Sequence, residues 1–137
     1  MSIVQTQTTS FKAELYQAVH NLLTDTLKIA LYTGNANLNE TTTVYSSANE
    51  VSGGGYTAGG VALTGVTINT SGYTAYVNFN NVSFSASVTA RCALIYNASK
   101  SNKSIAVLDF GSDKTSSAFT ITMPQNTATT ALIRSSI

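Results

Sequence analysis

Apolar residues recur at three- and four-residue spacing near the start of the chain and at two-residue spacing through much of the rest. The first pattern comprises Phe11, Leu15, Val19, Leu22 and Leu23. This spacing places its members on one side of a helix, so it predicts an amphipathic α-helix over about residues 10–23. Ser10 is the expected N-cap, and Glu14 in the first turn suits the positive end of the helix dipole. No other stretch has a convincing helical pattern.

Two-residue alternation begins at Leu27 and returns in short segments as far as residue 133. The segments with strand character span residues 27–32, 61–68, 73–79, 82–84, 89–96, 104–110, 119–123 and 129–133. Turns separate them at intervals of about 8–12 residues, which is typical of a sandwich or small barrel. We therefore predict a mainly β fold, an antiparallel β-sandwich or small barrel of about seven to nine strands with the N-terminal helix packed on it.

Three of these segments carry more specific expectations. Residues 89–96 are the most apolar and should form a central strand. Residues 104–110 should form another core strand, ended by a turn at 111–114. The run from Tyr73 to Phe79 alternates, which would place both of these aromatic residues on the same face.

Two segments lack this periodicity. Residues 1–9 are polar and predict an extended N-terminal arm, either frayed or laid on a neighbouring subunit. Residues 10–137 then form a single β-rich domain. The stretch 53–60 holds five glycines in eight residues, which predicts either a mobile loop or a tightly packed corner. Tyr56 in its middle favours packing.

The composition excludes several classes of function. Charged residues make up 9% of the chain, whereas soluble domains average about 25%. The polar surface must come instead from 21 Thr, 17 Ser and 12 Asn. The net charge is +1 and the basic residues are scattered, so no nucleic-acid partner is expected. No signal-peptide pattern and no apolar run of about 20 residues occur, so we expect synthesis in the cytoplasm and no membrane association.

Candidate catalytic and metal-binding residues are few. His20 is the only histidine and lies beside the apolar stripe, where a structural role is expected. Cys92, the only cysteine, lies in the most apolar segment, which predicts a buried inert thiol and excludes an intrachain disulfide. One histidine and one cysteine do not form a typical zinc site. The glycine run has no Walker lysine, and no Gly-x-Ser-x-Gly elbow occurs.

Carboxylates give no clearer signal. The six are Glu14, Asp25, Glu40, Glu50, Asp109 and Asp113. A glycosidase pair is conceivable among them, but nothing in the sequence marks any two as partners. Asp109 lies in an apolar segment just before Phe110 and Gly111, where it should cap the following turn or point to solvent. We therefore predict no catalytic, cofactor-binding or metal-binding residues.

Several segments together carry a resemblance to a known class of protein. They are Phe11–Leu15 with His20, Lys28–Thr33, Glu50–Val51, Gly55–Gly60, Ala90–Asn97 and Leu108–Gly111. In their order and spacing the chain resembles small virion structural proteins of tailed bacteriophages, of the capsid decoration or cement type. The resemblance implies a non-enzymatic protein on the capsid surface of the virion. The implied partners are the major capsid protein and further copies of the chain as a homotrimer.

Other functions remain open at this point. One alternative is a tail component such as a tube, adaptor or fibre subunit. Another is a carbohydrate-binding or adhesin β-sandwich, in which exposed Tyr45, Tyr56 and Tyr73 would line a groove. A small hydrolase is a further alternative, although no catalytic residues come with the resemblance.

Overall fold

The structure, a computed structural model, describes residues 2–136. Within that range the elements are β1 (Thr6–Gln7), α1 (Thr9–Tyr16), β2 (Leu27–Tyr32), β3 (Val61–Ala62), β4 (Thr67–Ser71), β5 (Thr74–Asn78), β6 (Val82–Phe84), β7 (Val88–Asn97), β8 (Lys103–Ser116), β9 (Phe119–Ile121) and β10 (Ile133–Ser135). The strands pair antiparallel in three sheets, ordered β1-β8-β7-β2-β3, β10-β5-β4 and β6-β9. The predicted mainly β, antiparallel fold with one N-terminal helix is confirmed.

Strand β7 lies at the centre of the five-stranded sheet, paired with β2 and β8. One face, with Ala93 and Ile95, joins the main core, to which the two smaller sheets also contribute. The other face, with Cys92 and Leu94, packs beneath the loop that connects β2 to β3. Burial on both faces explains the near-continuous apolar run in this segment. The predicted central strand is confirmed.

Helix α1 begins two residues earlier than predicted. Thr8, rather than the predicted Ser10, is its N-cap, and the Thr8 Oγ1 accepts a hydrogen bond of 3.3 Å from the Phe11 N–H. The same hydroxyl lies 2.9 Å from the Ser104 Oγ on β8. This contact to the sheet fixes where the helix starts, because Thr8 is fully buried there.

The helix also ends earlier than the predicted range of residues 10–23. It closes in a Schellman motif, in which the Val19 N–H donates to the Glu14 carbonyl at 3.0 Å and the Ala18 N–H donates to the Leu15 carbonyl at 3.2 Å. Ala18 adopts the left-handed conformation that the motif requires, with φ of 58°. The long helix was therefore a wrong prediction.

The short helix breaks up the predicted apolar stripe. Phe11 and Leu22 are buried, at 0% and 7% exposure, whereas Leu15 and Leu23 are 40% and 60% exposed. Only Phe11 covers the core from within the helix. Leu22 reaches the core from the irregular segment that follows.

Three strand boundaries also differ from the prediction. Strand β8 continues past the turn expected at 111–114, but residues 110–113 form a bulge there. The pairing with β7 passes from Asp109 opposite Cys92 to Lys114 opposite Ala90, and Gly111 has a φ of 84°. Tyr73 lies in the turn between β4 and β5 and is 89% exposed, so it does not share the buried face of Phe79. The last strand begins at Ile133, because residues 127–132 form turns.

The segment predicted as an arm packs on the chain itself over its described residues: residues 2–4 lie along Leu38 of the loop between β2 and β3, residues 6–7 form β1, and Thr9 begins α1. Strand β1 pairs with the edge of β8, with Thr6 opposite Val107. Ile3 forms an isolated parallel bridge with Leu38. In this structure the segment therefore covers part of a sheet edge that would otherwise be open.

Candidate functional site

Polar side chains from α1 and from the end of β7 meet at His20. The His20 Nε2 lies 2.8 Å from the Glu14 Oε1, and the His20 Nδ1 lies 2.9 Å from the Asn97 Nδ2. The His20 side chain has no exposed surface, and its ring centroid is 5.1 Å from that of Phe11. Glu14 belongs to α1 and Asn97 ends β7. We call the group formed by Glu14, His20, Asn97, Asp25 and Lys100 the His20 cluster.

The Asn97 amide fixes the hydrogen position on the imidazole. The Asn97 Oδ1 accepts from the Ser99 N–H at 3.0 Å, and the Asn97 Nδ2 donates to the Asp25 Oδ2 at 2.8 Å. The second Nδ2 hydrogen is then donated to the His20 Nδ1, so the ring hydrogen lies on Nε2 and is donated to Glu14. A general base needs a free nitrogen within reach of substrate. Both nitrogens of His20 are engaged, so it acts here as a bridge between the helix and β7.

Asp25 anchors the other end of this cluster. It accepts hydrogen bonds from the Asn21 N–H at 2.9 Å and from the Lys100 Nζ at 3.0 Å, besides the one from Asn97. Burial alone would raise the pKa of Asp25, but hydrogen bonds from Asn97, Asn21 and Lys100 and the charge of Lys100 outweigh it and lower the pKa to about 2. The carboxylate is therefore ionised at neutral pH and joins the segment after α1 to the turn after β7.

A second cluster surrounds Glu50 in the loop between β2 and β3. The Tyr45 hydroxyl donates to the Glu50 Oε1 at 2.6 Å. The Tyr56 hydroxyl and the Gly59 N–H donate to the Glu50 Oε2 at 2.5 Å and 2.7 Å. The Tyr56 oxygen also accepts from the Leu31 N–H at 2.9 Å. This Glu50 cluster ties the loop to strand β2.

The tyrosines of this cluster are held as hydrogen-bond donors. Burial, followed by the hydrogen bond to Glu50, raises the pKa of Tyr45 and of Tyr56 above the ordinary value of 10.0. The Tyr96 hydroxyl donates to the Gly59 carbonyl at 2.6 Å, and its ring stacks on Tyr45 at a centroid distance of 4.6 Å. The carboxylate and its aromatic neighbours therefore form a closed set of internal contacts.

The glycine-rich stretch 53–60 is a packed corner. A Cβ on Gly54 would lie 1.9 Å from the Ser87 carbonyl oxygen, and one on Gly60 would lie 1.8 Å from that of Ile29. Both glycines have positive φ, at 63° and 77°. Only glycine fits at these two positions, because the backbone approaches β2 and the residue before β7 too closely for any side chain.

Arg91 and Asp109 form a third polar pair across β7 and β8. The Arg91 Nε donates to the Asp109 Oδ1 at 3.0 Å, and the Gly111 N–H donates to the same oxygen at 2.8 Å. These two bonds lower the pKa of Asp109. Asp109 thus caps the Gly111 N–H at the bulge in β8, whereas the turn that it was expected to cap is not formed. Cys92 is fully buried, and burial raises the pKa of its thiol to about 12, which is the environment of an inert thiol.

The three tyrosines predicted to line one groove lie in two different places. Tyr45 and Tyr56 are half-buried, and their hydroxyls donate to one carboxylate. Tyr73 is at the tip of the hairpin between β4 and β5, in another sheet. The three tyrosines therefore do not form a single sugar-stacking groove in this structure.

The three-stranded sheet of β4, β5 and β10, the small sheet, has a different character. Residues 51–90 contain no charged side chain, so Arg134 on β10 carries the sheet's charge. All of β4 is exposed. A cleft of about 380 Å³ separates α1 from this sheet. Its apolar lining includes Phe11, Leu15, Leu22, Ile68, Val77 and Ile133. Residues of α1 and of the irregular segment after it both line this cleft.

Among residues 2–136, no three His, Cys, Asp or Glu side chains gather closely enough to hold a metal ion. No helix among the same residues is long and apolar enough to cross a bilayer.

The sequence does not indicate which residues Asp25, Glu50 and Asn97 bind. The only sequence feature that draws attention to them is the scarcity of charge: with 9% charged residues, each carboxylate in the chain is unusual. Their partners are distant in sequence, so no local spacing pairs them. No protein-family model, no curated protein and no solved structure matches this chain.

Proposed function

We propose that this chain is a non-enzymatic structural protein of a tailed-bacteriophage virion, a capsid decoration or cement protein. In this role it binds the outer capsid lattice and stabilises it. Its partners are the major capsid protein and further copies of itself. The proposal rests on the resemblance described above, together with where the resembling segments lie in the fold.

The observation that carries the proposal is that residues of the resembling segments contact one another. These contacts are Glu14–His20, His20–Asn97, Glu50–Tyr56, Glu50–Gly59 and Arg91–Asp109. The segments therefore specify a scaffold, and their polar groups are used within the molecule. Such a scaffold leaves the exposed surface free to match a partner in an assembly.

The neutral surface supports the same proposal. Charged residues are few, and residues 51–90 have none. Contacts made by neutral side chains depend little on ionic strength, because there is little charge to screen. On a repeating lattice, many modest contacts of this kind add up through avidity.

Fractionation of virions that contain the chain tests this proposal. Capsids separated from tails should retain the protein, and cryo-electron microscopy should place it on the outer lattice in many copies. Recovery with the tails alone would contradict the proposal and support a tube, adaptor or fibre subunit. Copy number alone does not separate these cases, because a tail-tube subunit can also be abundant.

The adhesin alternative has its own test. A glycan array probed with the purified chain should give no binding, because Tyr45 and Tyr56 are committed to Glu50. Specific binding that is lost in Tyr73→Ser would overturn the proposal in favour of a carbohydrate-binding function.

A further inference from the structure

Strand β4 is an open edge of the small sheet. It pairs with β5 on one side, with Ser71 opposite Thr74 and Thr67 opposite Asn78. Among residues 2–136, no further backbone hydrogen bond reaches the outer side of β4. Its unpaired N–H and C=O groups are the groups to which another strand can add.

The hairpin shows which backbone groups face outward. Ser71 and Thr74 flank a two-residue turn at Gly72 and Tyr73, so they form a hydrogen-bonded pair. Hydrogen-bonded and non-hydrogen-bonded pairs alternate along an antiparallel ladder. The N–H and C=O groups of Ile68 and Thr70 therefore point away from β5.

We propose that β4 pairs with β4 of a second copy of this chain, antiparallel and with Asn69 opposite Asn69. In this register Ile68 of one copy lies opposite Thr70 of the other. Each of these residues then both donates and accepts, so the outward groups of the two strands satisfy one another. The two small sheets merge into one continuous sheet across a two-fold axis, which gives a closed dimer.

A second copy fits this edge because nothing on it repels an identical strand. No charged residue lies between Glu50 and Arg91, so two copies of the hairpin approach without like-charge repulsion. Ile68 is 43% exposed beside the open cleft. In the paired register the two Ile68 side chains lie on the same face as diagonal neighbours, which removes apolar surface from water.

Another open edge of the molecule is protected against such pairing. The outer half of β8, residues 110–116, is unpaired on the side away from β7. It carries Asp113 and Lys114, and Gly111 at a φ of 84° disturbs its ladder. Charges and irregularities of this kind prevent another strand from pairing with an edge strand. Strand β4 has neither, so neither device blocks the addition of another strand at its edge.

Dimerisation through β4 goes beyond the proposed location in the virion and does not depend on it, so purified protein in solution tests it. Sedimentation equilibrium should show a monomer–dimer equilibrium for the wild type. Asn69→Lys and Asn69→Glu each place like charges opposite one another and should weaken dimerisation about fivefold. An equimolar mixture of the two variants should recover wild-type association. Ser112→Lys, on the β8 edge, is the charge-matched control and should dimerise like the wild type.

A backbone variant tests the hydrogen bonds themselves. Thr70→Pro removes an N–H that the monomer does not use, so it should abolish dimerisation while circular dichroism shows a folded chain. A wild type that stays monomeric at every concentration would overturn the inference. So would a dimer or trimer that persists unchanged in Asn69→Lys, Asn69→Glu and Thr70→Pro.

Discussion

The central strand β7 and the edge strand β4 show two opposite uses of a strand in one chain. Strand β7 has a neighbour on each side and cover on both faces, and its residues 92–97 are buried. Strand β4 has a neighbour on one side, and every one of its residues is exposed. Polar groups near β7 are paired in the His20 and Glu50 clusters. The outer backbone groups of β4 have no partner among residues 2–136.

This difference separates the part of the molecule that maintains the fold from the part that is free to bind. Around β7 the buried polar side chains of the five-stranded sheet are paired within the molecule, so the centre of this sheet gains little from an external partner. The small sheet keeps neutral side chains and an open ladder at the surface. Substitutions around β7 should therefore change stability, whereas substitutions on β4 should change association.

The largest effect is expected at the centre of β7. Ile95→Ala removes a fully buried side chain and should lower the free energy of unfolding by about 2–5 kcal/mol, because a cavity replaces its contacts. Ile68→Ala, at 43% exposure, should cost about 0.5 kcal/mol or less. Urea unfolding, at a protein concentration low enough to keep the chain monomeric, measures the loss in each variant. Equal losses would mean that β4 is as deeply involved in the core as β7.

A similar contrast is expected within the segment that was predicted as one apolar stripe. Leu22→Ala should cost about 2–5 kcal/mol, because Leu22 is 7% exposed. Leu15→Ala should cost about 0.5 kcal/mol, because Leu15 is 40% exposed beside the open cleft. The same urea measurement compares them. A large loss in Leu15→Ala would indicate that the cleft is closed in solution.

A smaller effect is expected in the Glu50 cluster. Glu50→Gln replaces one acceptor oxygen by an NH₂ group and leaves either the Tyr45 donor or the Tyr56 and Gly59 donors unpaired, at a cost of about 1–3 kcal/mol. Hydrogen exchange at the Gly59 amide should also accelerate. Glu40→Gln is the matched control, since Glu40 is exposed. If both variants unfold at the same urea concentration, the cluster adds nothing to stability.

The core strands could be predicted from sequence because their apolar residues occupy the positions that are buried. Residues 82–90 alternate strictly between buried and exposed, and 92–97 are buried throughout. The end of α1 could not be predicted in this way, because the three- and four-residue spacing continues past it. Ala18 in the left-handed conformation ends the helix, and contacts of His20 with Asn97 on β7 hold the following segment away from helical geometry.

The polar clusters could not be predicted because their members meet only after the sheet has formed. His20 and Asn97 are 77 residues apart in the chain. The packed glycine corner was one of two alternatives left open, and the deciding contacts of Gly54 and Gly60 are with distant backbone. The free edge of β4 is likewise a property of strand order, which alternation along one strand does not specify.

The smallest effect is expected in the His20 cluster, where the ionisation of Asp25 should make the free energy of unfolding depend on pH at acid pH. The pKa of Asp25 is about 2 in the folded chain, below its ordinary value of 3.8. As the pH falls, the unfolded chain therefore binds a proton on this group before the folded chain does, and stability present above about pH 4 is lost as the pH falls towards 2. Asp25→Asn should be less stable at neutral pH, by up to about 2 kcal/mol. Its deficit relative to the wild type should shrink between about pH 4 and pH 2, measured by urea unfolding at each pH. Other carboxylates, including Asp109, are common to both proteins and cancel in the difference. A deficit that stays constant with pH would show that the ionised Asp25 does not hold this segment on β7.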